Sequence, residues 1–153
     1  MLKYDFSIRY SFSDWPNSDI PLVAAGVYLI RNEEVLIYVG MSGREIEKNL
    51  NKRRYGLYTR LQAHASGRLS GDQFCVYVAN RLVIPELKQE QLEQFRDGHV
   101  NLDMLTKEYV QRLDYQFCVV DSSKEAFSLE DACKRGEFNG KMPLLNPAAV
   151  SLK

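Results

Sequence analysis

The sequence predicts a single domain of the α/β or α+β class, in which a small, mostly antiparallel β-sheet is flanked by helices. Three observations predict this class: two apolar, β-branched runs meet at a polar turn, helical periodicity follows them, and shorter apolar runs lie between the later helices. A chain of 153 residues fits one domain of ordinary size. Such a chain can bury roughly 70% of its unfolded surface, so its core requires neither disulfides nor a structural metal.

The first part of the chain predicts an edge element followed by a β-hairpin. Residues 4–12 alternate aromatic or apolar side chains with polar ones, which is typical of an extended edge segment. Proline and polar residues at 14–21 then mark a loop. The apolar runs at 22–30 and 35–39 are expected to form the two strands of the hairpin, and the polar residues 31–34 supply its turn.

The rest of the chain predicts four helices and two further strands. The helices are expected at residues 55–66, 85–96, 102–113 and 123–135. Gly67 is a stop for the first of them, and Pro85 suits the first turn of the second. Ser122 or Ser123 can cap the last helix. The strands are expected at residues 74–79 and 115–120, because both are short apolar runs.

Charge, hydropathy and cysteine content exclude several classes of protein. The formal net charge is zero, so bulk charge does not attract this chain to nucleic acid. The charge is uneven, however, since residues 41–68 contain seven basic and two acidic side chains, and residues 81–131 contain six basic and eleven acidic ones. No apolar run approaches the ~20 residues that cross a bilayer, and the N-terminus lacks the apolar segment of a secretory signal. The three cysteines form no CxxC pair, so we expect a cytoplasmic protein without membrane contact.

Two pairs of side chains are candidates for joint chemistry. Tyr28 and Tyr38 lie on the two strands of the hairpin, where cross-strand neighbours on one face are about 5 Å apart. Core packing is the alternative explanation, because aromatic residues favour strands. Arg60 and His64 are four residues apart and project from one helical face. A guanidinium beside an imidazole suits a phosphate ligand, and two solvated side chains on an exposed helix are the alternative.

Two polar residues stand out later in the chain. Glu130 lies close to an apolar helical stripe, where a carboxylate usually has a cation or a divalent metal as its partner. Asp131 is the competing choice for this role, and a solvated surface glutamate is the structural alternative. Asn146 precedes Pro147, which biases its backbone to an extended conformation, and its side chain can hydrogen-bond a strand or a loop.

The order of these features resembles the GIY-YIG nuclease superfamily. The resemblance rests on five motifs in sequence: GVY at 26–28, YVG at 38–40, the Arg60–His64 helix, Leu129-Glu130 and Asn146-Pro147. Valine replaces isoleucine in both triplets. The histidine four residues after the arginine, SGRLSGDQFCVY at 66–77 and LLNP at 144–147 are similar to the branch that includes GIY-YIG type II restriction endonucleases. The resemblance makes residues 22–148 a catalytic core and residues 1–21 an N-terminal extension within one domain, 1–153.

The resemblance implies hydrolysis of DNA phosphodiester bonds with one divalent metal, Mg²⁺ or Mn²⁺. It makes Glu130 the protein ligand of the metal and Arg60 the group that holds the scissile phosphate. Asn146 would hold the active-site backbone, and Tyr38 would hydrogen-bond near the reacting groups. Tyr28 would act as general base or would only orient water. The second role leaves the proton to His64, and the sequence does not decide between the two, because a free phenol has a pKa near 10.

The DNA contacts implied by this resemblance are expected in and beside the basic segment, residues 44–54. The residues are Arg44, Lys48, Lys52, Arg53, Arg54, Tyr58 and Arg68. Phosphate contacts of this kind give salt-dependent affinity without sequence specificity. Restriction-like cleavage is the leading interpretation, and a symmetric DNA target would call for a homodimer. The alternatives are a repair or mobile-element nuclease and a non-catalytic DNA-binding module, but the presence of Tyr28, Arg60 and Glu130 favours an active enzyme.

Overall fold

A computed structural model of the chain describes residues 4–137 and 140–146. Its strands form one sheet: β1 (Tyr10–Ser11), β2 (Val23–Asn32), β3 (Val35–Ser42), β4 (Tyr55–Gly56) and β5 (Asp114–Val120). The strand order is β1-β5-β2-β3, and these neighbours are antiparallel, whereas the short β4 runs parallel to the start of β2. The expected class, a small and mostly antiparallel sheet flanked by helices, is confirmed.

Helices cover both faces of this sheet. They are α1 (Leu57–Ser66), α2 (Gln73–Val78), α3 (Gln89–Arg96), α4 (Leu102–Val110) and α5 (Ser123–Lys134). Side chains of α1, α2 and α4 pack with one face of the sheet, and side chains of α5 pack with the opposite face. Because both faces are covered, β2 is apolar almost throughout rather than alternating. Within residues 4–137 and 140–146, none of the helices combines the length and apolar character that a membrane span requires.

The hairpin confirms the most local of the sequence predictions. Asn32 pairs with Val35, so the turn consists of Glu33 and Glu34. A bulge between Ile30 and Arg31 shifts the register of the ladder beyond it.

The run at 74–79 was expected to be a strand, and this prediction is wrong. Residues 74–78 lie in α2, and residue 79 begins the π-helical turn, Ala79–Val83, that continues it. The Asp72 side chain accepts a hydrogen bond from the backbone N–H of Cys75 (3.1 Å), which caps the N-terminus of α2. A short apolar run cannot be assigned to helix or strand by periodicity alone, and here the cap decides.

Other element boundaries shift by a few residues. Pro85 lies in a 3-10 turn, Ile84–Glu86, and the expected helix at 85–96 begins only at Gln89. The helix expected at 102–113 ends at Val110. In the helix expected at 55–66, the first two residues form β4 instead. Of the expected edge segment, Tyr10–Ser11 form ladder pairs with β5.

Candidate active site

A cleft of about 120 Å³ opens where β2, β3, α1, α2 and α5 meet. Five of the six expected catalytic residues line it: Tyr28, Tyr38, Arg60, His64 and Glu130. They come from β2, β3, α1 and α5, and more than 100 residues separate the first from the last. The sheet and the helices on its two faces therefore bring together side chains that the sequence places far apart.

The two tyrosines share one face of the hairpin but are not directly opposite one another. Tyr28 pairs with Gly40 and Tyr38 pairs with Ile30, so the two tyrosine rings are diagonal neighbours with centroids 6.4 Å apart. The ring of Tyr28 lies across Gly40, where a Cβ atom would collide with the Tyr28 hydroxyl. The glycine of the second triplet is thus required by the position of the tyrosine of the first.

A buried hydrogen-bonded chain joins Tyr28 to His64 and His64 to Asp72. The Tyr28 hydroxyl lies 2.7 Å from His64 Nε2, and His64 Nδ1 lies 2.6 Å from Asp72 Oδ2. The His64 and Asp72 side chains are only 2% and 3% exposed. Asp72 was not among the expected site residues. The signal that could have found it is an aspartate in the position of an N-cap, but the sequence predicts a strand where this helix begins.

The charge states of His64 and Asp72 follow from their burial and from their hydrogen bonds. Burial lowers the pKa of His64 below its ordinary value of 6.5, and Asp72 opposes this effect only in part. Burial acts to raise the pKa of Asp72, but hydrogen bonds from His64 and Cys75 outweigh it and hold the pKa below its usual range. At neutral pH a neutral imidazole therefore donates from Nδ1 to an ionised carboxylate. Nε2 then carries no hydrogen and accepts the hydrogen bond from Tyr28.

The phenol groups of the cleft are held in their neutral form. Burial raises the pKa of Tyr28 well above its usual range, and neighbouring Tyr38 adds to the effect. Burial likewise raises the pKa of Tyr38 to about 12. A phenolate does not form readily in this environment unless its proton has an acceptor. His64 Nε2 is that acceptor for Tyr28.

Glu130 projects from α5 into the same cleft. Its side chain is 15% exposed, and its Oε1 lies 3.3 Å from Lys134 Nζ. Burial raises the pKa of Glu130, and Lys134 acts in the opposite direction. Asp131, the competing choice, is ion-paired with Arg135 at 3.2 Å. Both carboxylates have a basic partner, but Glu130 lines the cleft and Asp131 is not among its lining residues, so the geometry favours Glu130 as the carboxylate that faces a ligand.

Asn146 lies outside the cleft and holds its wall. The side-chain Oδ1 accepts from the backbone N–H of Val39 (3.2 Å), and Nδ2 donates to the Val39 carbonyl (2.6 Å). The side chain thereby pairs with β3 between Tyr38 and Gly40. This geometry fits the expected role of holding the active-site backbone. Pro147, the other half of the motif, lies outside the described residues.

The expected DNA-contacting residues fall into two groups. The exposed side chains are Arg44, Lys48, Lys52, Arg53, Arg54 and Arg68. The Lys52 ammonium lies over the Tyr55 ring (4.9 Å), and the Arg54 guanidinium lies over the Tyr58 ring (5.4 Å). Tyr58 itself is buried against Trp15, with ring centroids 5.3 Å apart. Tyr58 therefore supports the surface from within the core and does not form part of it.

A second group of possible metal-binding atoms consists of His64, Asp72 and Cys75, which lie within 4.8 Å of one another. The nearest atoms of His64 and Asp72 are already joined by a hydrogen bond. Burial raises the pKa of the Cys75 thiol, and a metal requires the thiolate. The arrangement therefore serves better as a hydrogen-bonded network than as a metal centre. Glu130 offers the oxygen donor that Mg²⁺ prefers.

Comparisons of this chain with family models, with curated proteins and with solved structures find no significant match. The case for a function therefore depends on the residues of the cleft and on the resemblance described above.

Proposed function

We propose that this chain is a metal-dependent DNA endonuclease of the GIY-YIG type, acting in the manner of a restriction enzyme. The observation that carries the proposal is the convergence of Tyr28, Tyr38, Arg60, His64 and Glu130 in one cleft. These residues supply a path for a proton, a cation for a phosphate and a carboxylate for a metal. Packing of the protein core does not by itself explain why these polar and charged groups meet in one cleft.

The buried hydrogen bonds from Tyr28 through His64 to Asp72 support a specific route for the proton. A water molecule attacks phosphorus, and an O–P bond forms as the bond to the leaving oxygen breaks. The attacking water gives its proton to the Tyr28 oxygen, while the Tyr28 hydroxyl proton passes to His64 Nε2, 2.7 Å away. Asp72 holds the imidazole in the tautomer that can accept this proton and stabilises the imidazolium that forms. The leaving oxygen takes its proton from solvent.

Arg60 and Glu130 would act on the charge of the phosphate. Arg60 is exposed at the mouth of the cleft, where its guanidinium can hold the scissile phosphate and balance charge that develops in the transition state. Glu130 fits a divalent metal, because it is a largely buried carboxylate that already attracts a cation, Lys134. A bound Mg²⁺ or Mn²⁺ would stabilise negative charge on the phosphate and the leaving oxygen.

The experiment that tests the proposal is incubation with plasmid DNA and Mg²⁺, followed by mapping of the cut ends. We expect the wild type to cleave and Glu130→Gln to lose cleavage while retaining DNA binding, because the amide keeps the shape of the side chain but removes the charge. Asp131→Asn is the matched control, since it removes a carboxylate one residue away that is ion-paired with Arg135. Equal activity in Glu130→Gln and the wild type would contradict the metal assignment.

The same experiment separates the alternatives. A non-catalytic DNA-binding module would bind the plasmid and leave it intact in all three proteins. Cleavage at one sequence supports a restriction role, and a symmetric sequence would further predict a homodimer. Cleavage that depends on DNA structure rather than sequence supports a repair or mobile-element role.

A further inference from the structure

A larger groove continues from the cleft over the end of β3. Its volume is about 450 Å³, against about 120 Å³ for the cleft itself. Met41 and Arg60 line both cavities, so the two are neighbours along one wall. A ligand bound in the cleft can therefore extend directly into this groove.

The groove carries positive charge that its acidic neighbours do not cancel. Within the described chain, Arg44 and Arg60 are the charged side chains among the residues that line it. The two glutamates that follow Arg44 are engaged elsewhere: Glu45 accepts from Lys48 (3.0 Å), and Glu47 accepts from the backbone N–H of Ser123 (3.0 Å). Neither guanidinium group has a carboxylate partner among residues 4–137 and 140–146, and such a pair suits the oxygens of a phosphate.

The walls of the groove are held in place by backbone contacts. The Tyr55 hydroxyl donates to the carbonyl of Arg44, and Thr59 Oγ1 donates to the carbonyl of Gly56 (2.9 Å). Gly43 and Gly56 both have positive φ angles, 95° and 107°, and a Cβ at either would collide with β2. The groove therefore needs little reorganisation to bind, which lowers the entropic cost of binding.

We propose that this groove binds the phosphodiester group next to the scissile one in the same DNA strand. Arg44 holds this neighbouring phosphate, and Arg60 lies between the two phosphates. The inference rests on the proposed nuclease function, because the cleft defines which phosphate is scissile. It assigns to Arg44 a fixed position on the substrate, which separates it from the other exposed cations of the basic segment.

The test combines a charge deletion in the protein with one in the DNA. A set of duplexes carries a single neutral methylphosphonate at successive positions around the mapped cut, and cleavage is measured at subsaturating DNA. For the wild type we expect a roughly tenfold slower rate at one position beside the cut, because a charged hydrogen bond is lost. Arg44→Ala should be roughly tenfold slower on unmodified DNA and should show no further loss at that position.

Arg53→Ala is the matched control, because it removes the same charge from the same segment without lining the groove. It should retain the full methylphosphonate effect at that position. If Arg44→Ala and each methylphosphonate reduce the cleavage rate independently of one another, the groove assignment is wrong. The nuclease proposal would still stand. A second readout does not need cleavage: in Ca²⁺, Arg44→Ala should reduce the slope of log affinity against log salt by about 1. If the wild type never cleaves DNA but Arg44→Ala reduces the salt slope, the nuclease proposal is refuted and the groove remains a phosphate site. An unchanged slope for Arg44→Ala would reject the groove.

Discussion

Replacing Asp72 by asparagine should reverse the direction of hydrogen bonding through His64. In the wild type, Asp72 Oδ1 accepts from the Cys75 backbone N–H (3.1 Å), and Oδ2 accepts from His64 Nδ1 (2.6 Å). Asparagine has only one oxygen, and the helix cap requires it. Its amide nitrogen then faces His64 Nδ1 as a donor, so the imidazole must carry its proton on Nε2. That proton points at the Tyr28 hydroxyl, and His64 can no longer accept from Tyr28.

The magnitude follows from the role of the proton acceptor. General base catalysis contributes about 10²-fold to 10⁴-fold, and loss of the correct histidine tautomer in a serine protease triad costs about 10⁴-fold. We therefore expect Asp72→Asn to slow single-turnover cleavage roughly 10²-fold to 10⁴-fold. Asparagine is as good an N-cap as aspartate, so the free energy of unfolding should change by no more than about 1 kcal/mol.

Three measurements check this prediction. Single-turnover cleavage gives the rate, urea unfolding gives the stability, and ¹⁵N NMR of the imidazole reports which ring nitrogen carries the proton, independently of activity. Asp103→Asn is a suitable control, because Asp103 is an exposed acid near Cys75 whose carboxylate accepts from the Leu69 backbone instead (3.2 Å). Near-wild-type cleavage by Asp72→Asn, with the tautomer reversed, would refute the proton route through His64.

Three other predictions follow from the structure. Tyr28→Phe should cleave DNA orders of magnitude more slowly and should lose about 1 to 3 kcal/mol of stability, since His64 Nε2 is left buried without its partner; a Tyr28→Phe enzyme of full activity would assign this tyrosine to the core. Alanine at Lys52, Arg53 and Arg54 together should reduce the slope of log affinity against log salt by about 2 to 3, with cleavage at saturating DNA retained, and an unchanged slope would make them solvated charges. His64 is neutral when folded, so the unfolded chain binds the extra proton and stability should fall as the pH drops below about 6.5. Urea unfolding between about pH 5 and 7 should show a shallower pH dependence for His64→Gln, and identical slopes would contradict a neutral His64.

Local sequence signals predicted the hairpin and the cleft residues for an identifiable reason. Arg60 and His64 belong to one helix, so short-range periodicity is enough to place this pair on a common face. Tyr28 and Tyr38 belong to one hairpin, which brings them close, and the bulge after Ile30 places both on the same face. The placement of Glu130 beside them depends on α5 packing under the sheet, which no local pattern shows. The resemblance to a known motif order linked Glu130 to the tyrosines, and the cleft brings the same residues together.

The sequence does not identify Asp72 as a site residue because of a single error in the predicted secondary structure. The run at 74–79 is apolar enough for a strand and too short to show helical periodicity. Read as a strand, it makes Asp72 an ordinary loop residue. Read as the helix α2, it makes Asp72 an N-cap whose second oxygen is free to face His64, eight residues earlier. The exact register of the two tyrosines was also beyond the sequence, because it depends on the bulge after Ile30.

The position of Tyr28 depends on an edge strand that must not move. In the strand order, β3 has β2 on one side only, and the Tyr28 ring rests on its Gly40. Residues 144–146 lie along the other edge of β3. The backbone N–H groups of Leu144 and Leu145 donate to the carbonyls of Leu36 and Ile37 (3.0 and 2.8 Å). The Asn146 side chain then bonds both polar groups of Val39 (3.2 and 2.6 Å).

An asparagine is suited to this last contact because its amide offers one donor and one acceptor in a plane, as a neighbouring peptide group would. The Asn146 side chain therefore adds one more contact to this edge of β3, at Val39, the residue before the Gly40 that the Tyr28 ring covers. Asn146→Asp keeps the acceptor for the Val39 N–H but places a carboxylate oxygen against the Val39 carbonyl. Two acceptors then face each other in a buried position. This contact destabilises β3 at Val39, beside the Gly40 on which the Tyr28 ring rests.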